Sequence, residues 1–180
     1  MLQIEFSLQQ QRLDIEYRVS NPGMEPVRFT IGSHPAFQLP GAIEDNCIRF
    51  SDPETLHRYG LTDDGLLHVE GKPFPIADQQ IPLTRSLFDD DALVFKDIRS
   101  HHISLFNHEQ ELLRVHTGGA PHLGLWAKPA APYVCIEPWF GYSDGVDASG
   151  KWQDKPALLT VEPGSTFTHR WAIDLVSISR

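Results

Sequence analysis

Cysteine is scarce in this 180-residue chain, which carries only Cys47 and Cys135. Two cysteines are too few for a disulfide framework, and they do not stand at zinc-ligand spacing. Each sits in an apolar run, Asn46-Cys47-Ile48-Arg49-Phe50 and Tyr133-Val134-Cys135-Ile136. Both are therefore expected to be buried thiols acting as small hydrophobes. Positive charge is also in short supply: 15 Lys and Arg stand against 24 Asp and Glu, for a formal net charge of −9. The basic residues are scattered singly, so phosphate backbones and anionic membrane surfaces would be repelled, and neither nucleic acid nor membrane is an expected partner. No apolar run approaches the ~20 residues that cross a bilayer. The opening Met1-Leu2-Gln3-Ile4-Glu5-Phe6 has no basic stretch, apolar block or cleavage site of a secretory signal, which makes the cytoplasm the expected compartment. His101, His102, His108, His116 and His122 match no zinc motif, and no metal site is expected.

Helical periodicity is missing as well. No stretch of a dozen residues carries a helical apolar stripe, and 14 prolines and 13 glycines interrupt the chain at short intervals. Period-two alternation takes its place. Leu2, Ile4, Phe6 and Leu8 alternate with polar residues, as do Leu13, Ile15, Tyr17 and Val19, with the polar tract Gln9-Gln10-Gln11-Arg12 as a hairpin loop between them. Asn21-Pro22-Gly23 is a turn signal before a third strand over Val27, Phe29 and Ile31. Phe167, His169, Trp171, Ile173 and Leu175 alternate again after the turn at Glu162-Pro163-Gly164. Shorter strands are predicted over Cys47–Phe50, Ala92–Phe95, His102–Asn107, Leu112–Thr117, His122–Trp126 and Tyr133–Glu137. Many short strands with turn-rich links predict an all-β sandwich forming a single domain over residues 1–180.

Two segments do not read as scaffold. Gly32-Ser33-His34-Pro35-Ala36-Phe37-Gln38-Leu39-Pro40 closes the third strand with a compact mixture of polar, aromatic and proline residues. Cys135-Ile136-Glu137-Pro138-Trp139-Phe140-Gly141-Tyr142-Ser143-Asp144 closes another apolar strand with a carboxylate next to a proline. Each sets an ionisable side chain at a strand end beside aromatic surface, a common location for sites. Taken singly, His34 also reads as a turn histidine bonded to a carbonyl, and Glu137 as a surface carboxylate capping a loop. His57 and Arg58 lie in a loop that could reach a pocket formed there, and Asp63-Asp64-Gly65 reads as a turn.

These two segments, together with Ile81-Pro82-Leu83-Thr84-Arg85-Ser86-Leu87-Phe88-Asp89-Asp90-Asp91-Ala92-Leu93-Val94-Phe95 and Leu123-Gly124-Leu125-Trp126-Ala127-Lys128-Pro129, resemble in order a bacterial branch of the aldose 1-epimerase (mutarotase) family. The resemblance implies a galactose-mutarotase-like β-supersandwich that binds a free hexose and needs no metal or organic cofactor. It places His34 at the family's general acid and Glu137 at its general base. Asp91 or its neighbour Asp90 falls near an acidic residue that holds sugar hydroxyls, and Trp126, Lys128 and Trp139 would form the pocket. The implied reaction is interconversion of α and β anomers, in which a base takes the C1 hydroxyl proton while an acid protonates the ring oxygen. The two groups act at different oxygens, so His34 and Glu137 are expected to face one cleft with room for a pyranose between them and without bonding each other. Family members also carry a preceding β-rich segment with a second histidine and an arginine, for which this chain shows no counterpart. The expectation is therefore a C-terminal portion of the fold, whose exposed sheet is covered by another copy or by a partner chain. A carbohydrate-binding domain without turnover, or a half-fold that needs a partner, are the competing readings.

Overall fold

Alternating segments become strands almost everywhere they occur. The computed structural model describes residues 1–129 and 131–176, so residues 130 and 177–180 of the expected domain lie outside the described residues. In chain order the strands are β1 (Leu2–Gln9), β2 (Arg12–Ser20), β3 (Val27–Phe29), β4 (Ala36–Gln38), β5 (Asn46–Phe50), β6 (Leu56–Tyr59), β7 (Lys72–Phe74) and β8 (Gln80–Pro82). They continue as β9 (Leu93–Phe95), β10 (His102–Asn107), β11 (Gln110–His116), β12 (His122–Trp126), β13 (Tyr133–Trp139), β14 (Leu159–Val161) and β15 (Thr166–Leu175). Two single-turn 3-10 segments, Ile43–Asp45 and Trp152–Asp154, are the helical elements among the described residues. No helix there is long and apolar enough to cross a membrane.

Seven strands form one sheet in the order β1-β2-β15-β11-β10-β5-β8, and six form a second in the order β4-β13-β12-β9-β6-β7. Antiparallel pairing puts residues directly opposite each other on the same face of a sheet. In the larger sheet this aligns Ile15 with Trp171, Ile103 with Val115 and Phe50, and Ile48 with Leu105 and Ile81. In the smaller sheet it aligns Val134 with Phe37, Ile136 with Leu125, and Leu125 with Leu93. These inward rows meet in one core, which makes the architecture a sandwich. The outer face of the larger sheet is solvated and lined with ion pairs, among them Arg12 with Asp14 and Asp174, Glu16 with Arg18 and Arg170, and Glu111 with Arg114. That is why polar residues alternate so regularly along β2 and β15.

The strands missed from sequence are short, and prolines interrupt two of them, β7 (Lys72-Pro73-Phe74) and β8 (Gln80-Ile81-Pro82). The expected third strand is shorter than Val27–Ile31. It ends at Phe29 and pairs with β14 in a separate two-stranded ribbon. The predicted hairpin at Gln9–Arg12 is tighter than a four-residue loop: Gln9 pairs with Arg12, and Gln10 takes a left-handed conformation at φ 54°. Cys135 is buried as expected, whereas Cys47 is half-exposed because its side chain points to the outer face beside Gln80.

Candidate functional site

The outer face of the six-stranded sheet is where chemistry gathers. Along β13 the side chains of Val134 and Ile136 enter the core, so Cys135, Glu137 and Trp139 share the opposite face. Across the ladder Trp126 stands opposite Cys135, Gly124 opposite Glu137 and His122 opposite Trp139. Aromatic residues from neighbouring strands and loops, Tyr59, Trp126, Trp139 and Tyr142, pack there around Leu67, Ala92 and Val94 as a second small core.

His34 reaches this face by backbone hydrogen bonds that flank Glu137. Ser33 donates its N–H to Pro138 O at 3.1 Å, and the N–H of Ile136 donates to Pro35 O at 3.2 Å. The chain between is thus pinned on both sides of position 137. Pro35 also disfavours a helical conformation at His34, keeping that residue extended. The outcome differs from the expected separation: His34 Nδ1 stands 3.3 Å from Glu137 Oε1. No pyranose fits between these atoms in this arrangement, because the two anchors set the histidine directly across from the carboxylate. The partners differ sharply in exposure, the His34 side chain being 63% exposed and that of Glu137 only 4%.

Burial dominates the electrostatics. It pushes the Glu137 carboxyl from 4.5 up to about 7, with the Trp139 side chain acting weakly the other way. The indole N–H of Trp139 donates its hydrogen bond to Ser33 O, at 3.1 Å, so burial is the cause that matters. Burial and then the nearby Glu137 charge push the Cys135 thiol up to about 11. Trp139 is seated by two glycines: a Cβ on Gly124 or on Gly32 would lie 2.5 Å from an indole carbon. Its ring is therefore the wedge that fixes the Ser33–His34 segment onto β13.

Beside the pair opens a cleft of about 1130 Å³, lined among others by Arg58, Asp89, Asp90, Asp91, Phe88 and Trp126. Trp126 links the two, since His34 meets its ring edge-on with centroids 6.2 Å apart. Of the residues selected from sequence, the cleft wall contains Asp90, Asp91 and Trp126. Lys128 is exposed just past Trp126 and contributes its backbone N–H to the Tyr133 hydroxyl at 3.4 Å. Arg58 lies on β6 rather than in a loop, and it lines the cleft while His57 is exposed outside the lining. The Arg58 guanidinium donates to Asp90 O at 2.7 Å and lies 3.7 Å from the Asp90 carboxylate, holding the acidic turn at the cleft wall. Asp91, at φ 69°, turns its carboxylate to accept the N–H of Ala92 at 2.7 Å. Lys96, whose ammonium lies 3.9 Å over the Tyr59 ring and 4.2 Å over that of Tyr142, escaped the sequence reading. So did the approach of Cys135 to His34 and Glu137, although the i, i+2 spacing from Glu137 on a strand was the available signal.

Known proteins resemble the chain along its whole described length. The plasmid-encoded LacX protein of Lactococcus lactis subsp. lactis is 28% identical over 185 residues, covering 98% of this chain and 62% of that protein. A galactose mutarotase related enzyme from Lactobacillus acidophilus superposes with a TM-score of 0.89 at 30% identity, covering 98% of this chain and 61% of that one. A galactose mutarotase-like protein from Lactobacillus casei shares the fold at a TM-score of 0.87 and 21% identity, covering 97% of this chain and 62% of that one. The chain thus spans about three-fifths of the length of the relatives it matches. The model of the family described as aldose 1-epimerase matches residues 1–174, and the chain belongs to that family.

Proposed function

We propose that this chain carries the acid–base apparatus of an aldose 1-epimerase and interconverts the anomers of a free hexose, with Glu137 as base and His34 as acid. The observation that supports this most is the Glu137 carboxyl, held by burial at about 7 beside an exposed histidine. A carboxylate of that strength is partly ionised at neutral pH and is a far better proton acceptor than one near 4.5. Ring opening begins when Glu137 takes the C1 hydroxyl proton while the imidazolium of His34 gives its proton to the ring oxygen. Rotation about C1–C2 and reclosure with the roles reversed complete the conversion. Because His34 is the exposed member, its side chain can turn from Glu137 toward a sugar resting on Trp126. Asp90 and Asp91 would accept hydrogen bonds from sugar hydroxyls, and Lys128 and Trp139 would complete the surroundings. The cytoplasm is the proposed compartment.

A second element of the proposal concerns assembly. Ile4 pairs with Tyr17 and Phe6 with Ile15, so the apolar side of β1 continues the inner face of the larger sheet. There the smaller sheet no longer covers it, and Leu2, Ile4, Phe6 and Leu8 are exposed. An apolar row on an edge strand is a pairing surface. We take it to be covered by another copy or by a partner chain.

Polarimetry on the purified chain tests the activity: conversion of α-galactose or α-glucose should exceed the spontaneous rate. His34→Asn and Glu137→Gln should each cut that excess by about 10²–10⁴-fold with the fold intact. Sugar binding without conversion by the unmutated chain would instead establish a carbohydrate-binding domain. Equal conversion by both variants would refute the acid–base assignment.

A further inference from the structure

We infer that His34, Cys135 and Glu137 together form a binding site for a borderline-soft divalent cation of the zinc class, one whose occupation blocks the acid–base pair. One ligand atom from each of the three, a ring nitrogen, the sulfur and a carboxylate oxygen, lies within 4.8 Å of the others. A tetrahedral ion with bonds of about 2.0–2.3 Å to N, O and S needs its ligand atoms roughly 3.3–3.6 Å apart. The 3.3 Å from His34 Nδ1 to Glu137 Oε1 already satisfies that requirement, and the sulfur needs to close by about 1.3 Å at most. Strand geometry supplies the convergence: Cys135 and Glu137 project from one face of β13, while the anchored turn at Ser33–Pro35 brings the histidine over them.

The donor types also suit such an ion. Imidazole, thiolate and carboxylate are the ligands zinc takes, whereas magnesium and calcium prefer all-oxygen shells. Both β13 ligands are buried and held by the sheet, while the third is exposed and can swing to admit the ion. Three protein ligands leave a fourth position for water, the arrangement of an accessible site rather than a closed structural one. Binding replaces the thiol proton and engages the Glu137 lone pair and the His34 ring nitrogen, the groups that the proposed reaction requires. The inhibitory consequence rests on that proposed function; the binding itself does not.

Cobalt(II), a spectroscopic substitute for zinc, separates the two. Titrating the 180-residue chain should produce a thiolate-to-cobalt charge-transfer band in the near ultraviolet, displaced stoichiometrically by zinc. The band should persist in Cys47→Ser, vanish in Cys135→Ser, and require at least about tenfold more metal in His34→Asn. Zinc should suppress anomer conversion in the unmutated chain, with the half-inhibitory concentration raised at least about tenfold in Cys135→Ser when each protein is referred to its own metal-free rate. Absence of a sulfur band at saturating cobalt overturns the site, as does a band that survives in Cys135→Ser. If Cys135→Ser fails to fold, loss of the band in Cys135→Ala, which leaves an apolar side chain at the buried position, decides the same point. A cobalt band with conversion unaffected upholds the metal site and overturns the acid–base assignment instead.

Discussion

Replacing Glu137 with glutamine should make the protein more stable in alkali than in acid relative to wild type, a reversal of the usual effect of removing a paired carboxylate. Burial raises the folded-state pKa from 4.5 to about 7. Between those values the folded chain keeps a proton that the unfolded chain has lost, so its stability falls as pH rises. Below 4.5 both states are protonated and the favourable contribution of the neutral carboxyl is fully present; above 7 both are ionised and it is gone. At 1.36 kcal/mol for each pH unit, a window of about 2.5 units corresponds to roughly 3 kcal/mol. Glutamine cannot ionise and carries no such term. Urea unfolding of both proteins at pH 4.5, 6 and 8 gives the difference directly, with groups common to both cancelling. Wild type should lose about 3 kcal/mol relative to Glu137→Gln across the series, and the acid limb of the anomer conversion rate should follow ionisation of the base at about 7. A stability difference that does not change with pH would refute the buried, proton-retaining carboxyl and with it the basis for calling Glu137 the base.

Other perturbations probe the surroundings. Trp126→Ala should weaken sugar binding about tenfold by removing the aromatic wall of the cleft, measured by calorimetry with galactose; unchanged affinity would place the sugar elsewhere. Phe6→Glu should turn any oligomer into monomer by light scattering, since Phe6 is 67% exposed on the β1 face; a wild-type monomer would rule out self-association as its cover. Gly118→Ala should cost about 3 kcal/mol or more, because its φ of 62° is left-handed and a Cβ there would sit 1.9 Å from Arg170 O. An unchanged melting temperature would contradict that backbone contact.

Much of this fold was legible because alternation is a local property. β2 and β15 announce themselves by period two, since one side faces the core and the other faces water or ion pairs, and β1 carries the same alternation although its apolar side is exposed. The pairing of β3 with β14 and the short β7 and β8 were not legible. The ribbon joins segments far apart in sequence, and the prolines of β7 and β8 argue locally against strands there. Cys47 illustrates a finer failure: an apolar neighbourhood in sequence says nothing of which side of the sheet a given residue faces.

The site was legible in its members and not in its geometry. Resemblance to the family carried His34 and Glu137 as residue identities, and family membership now stands independently on the match over residues 1–174. Their contact depends on Ser33 bonding to Pro138 across 105 positions of sequence and on Trp139 fitting flush over Gly32 and Gly124. None of those terms is local. The same strand parity that puts Glu137 on the outer face puts Cys135 there too, so the period that places the carboxylate brings a thiol along with it. What would make this a metal site and what would make it a proton-transfer site are thus one feature of β13. The two uses exclude each other at any moment because they compete for the same nitrogen and oxygen.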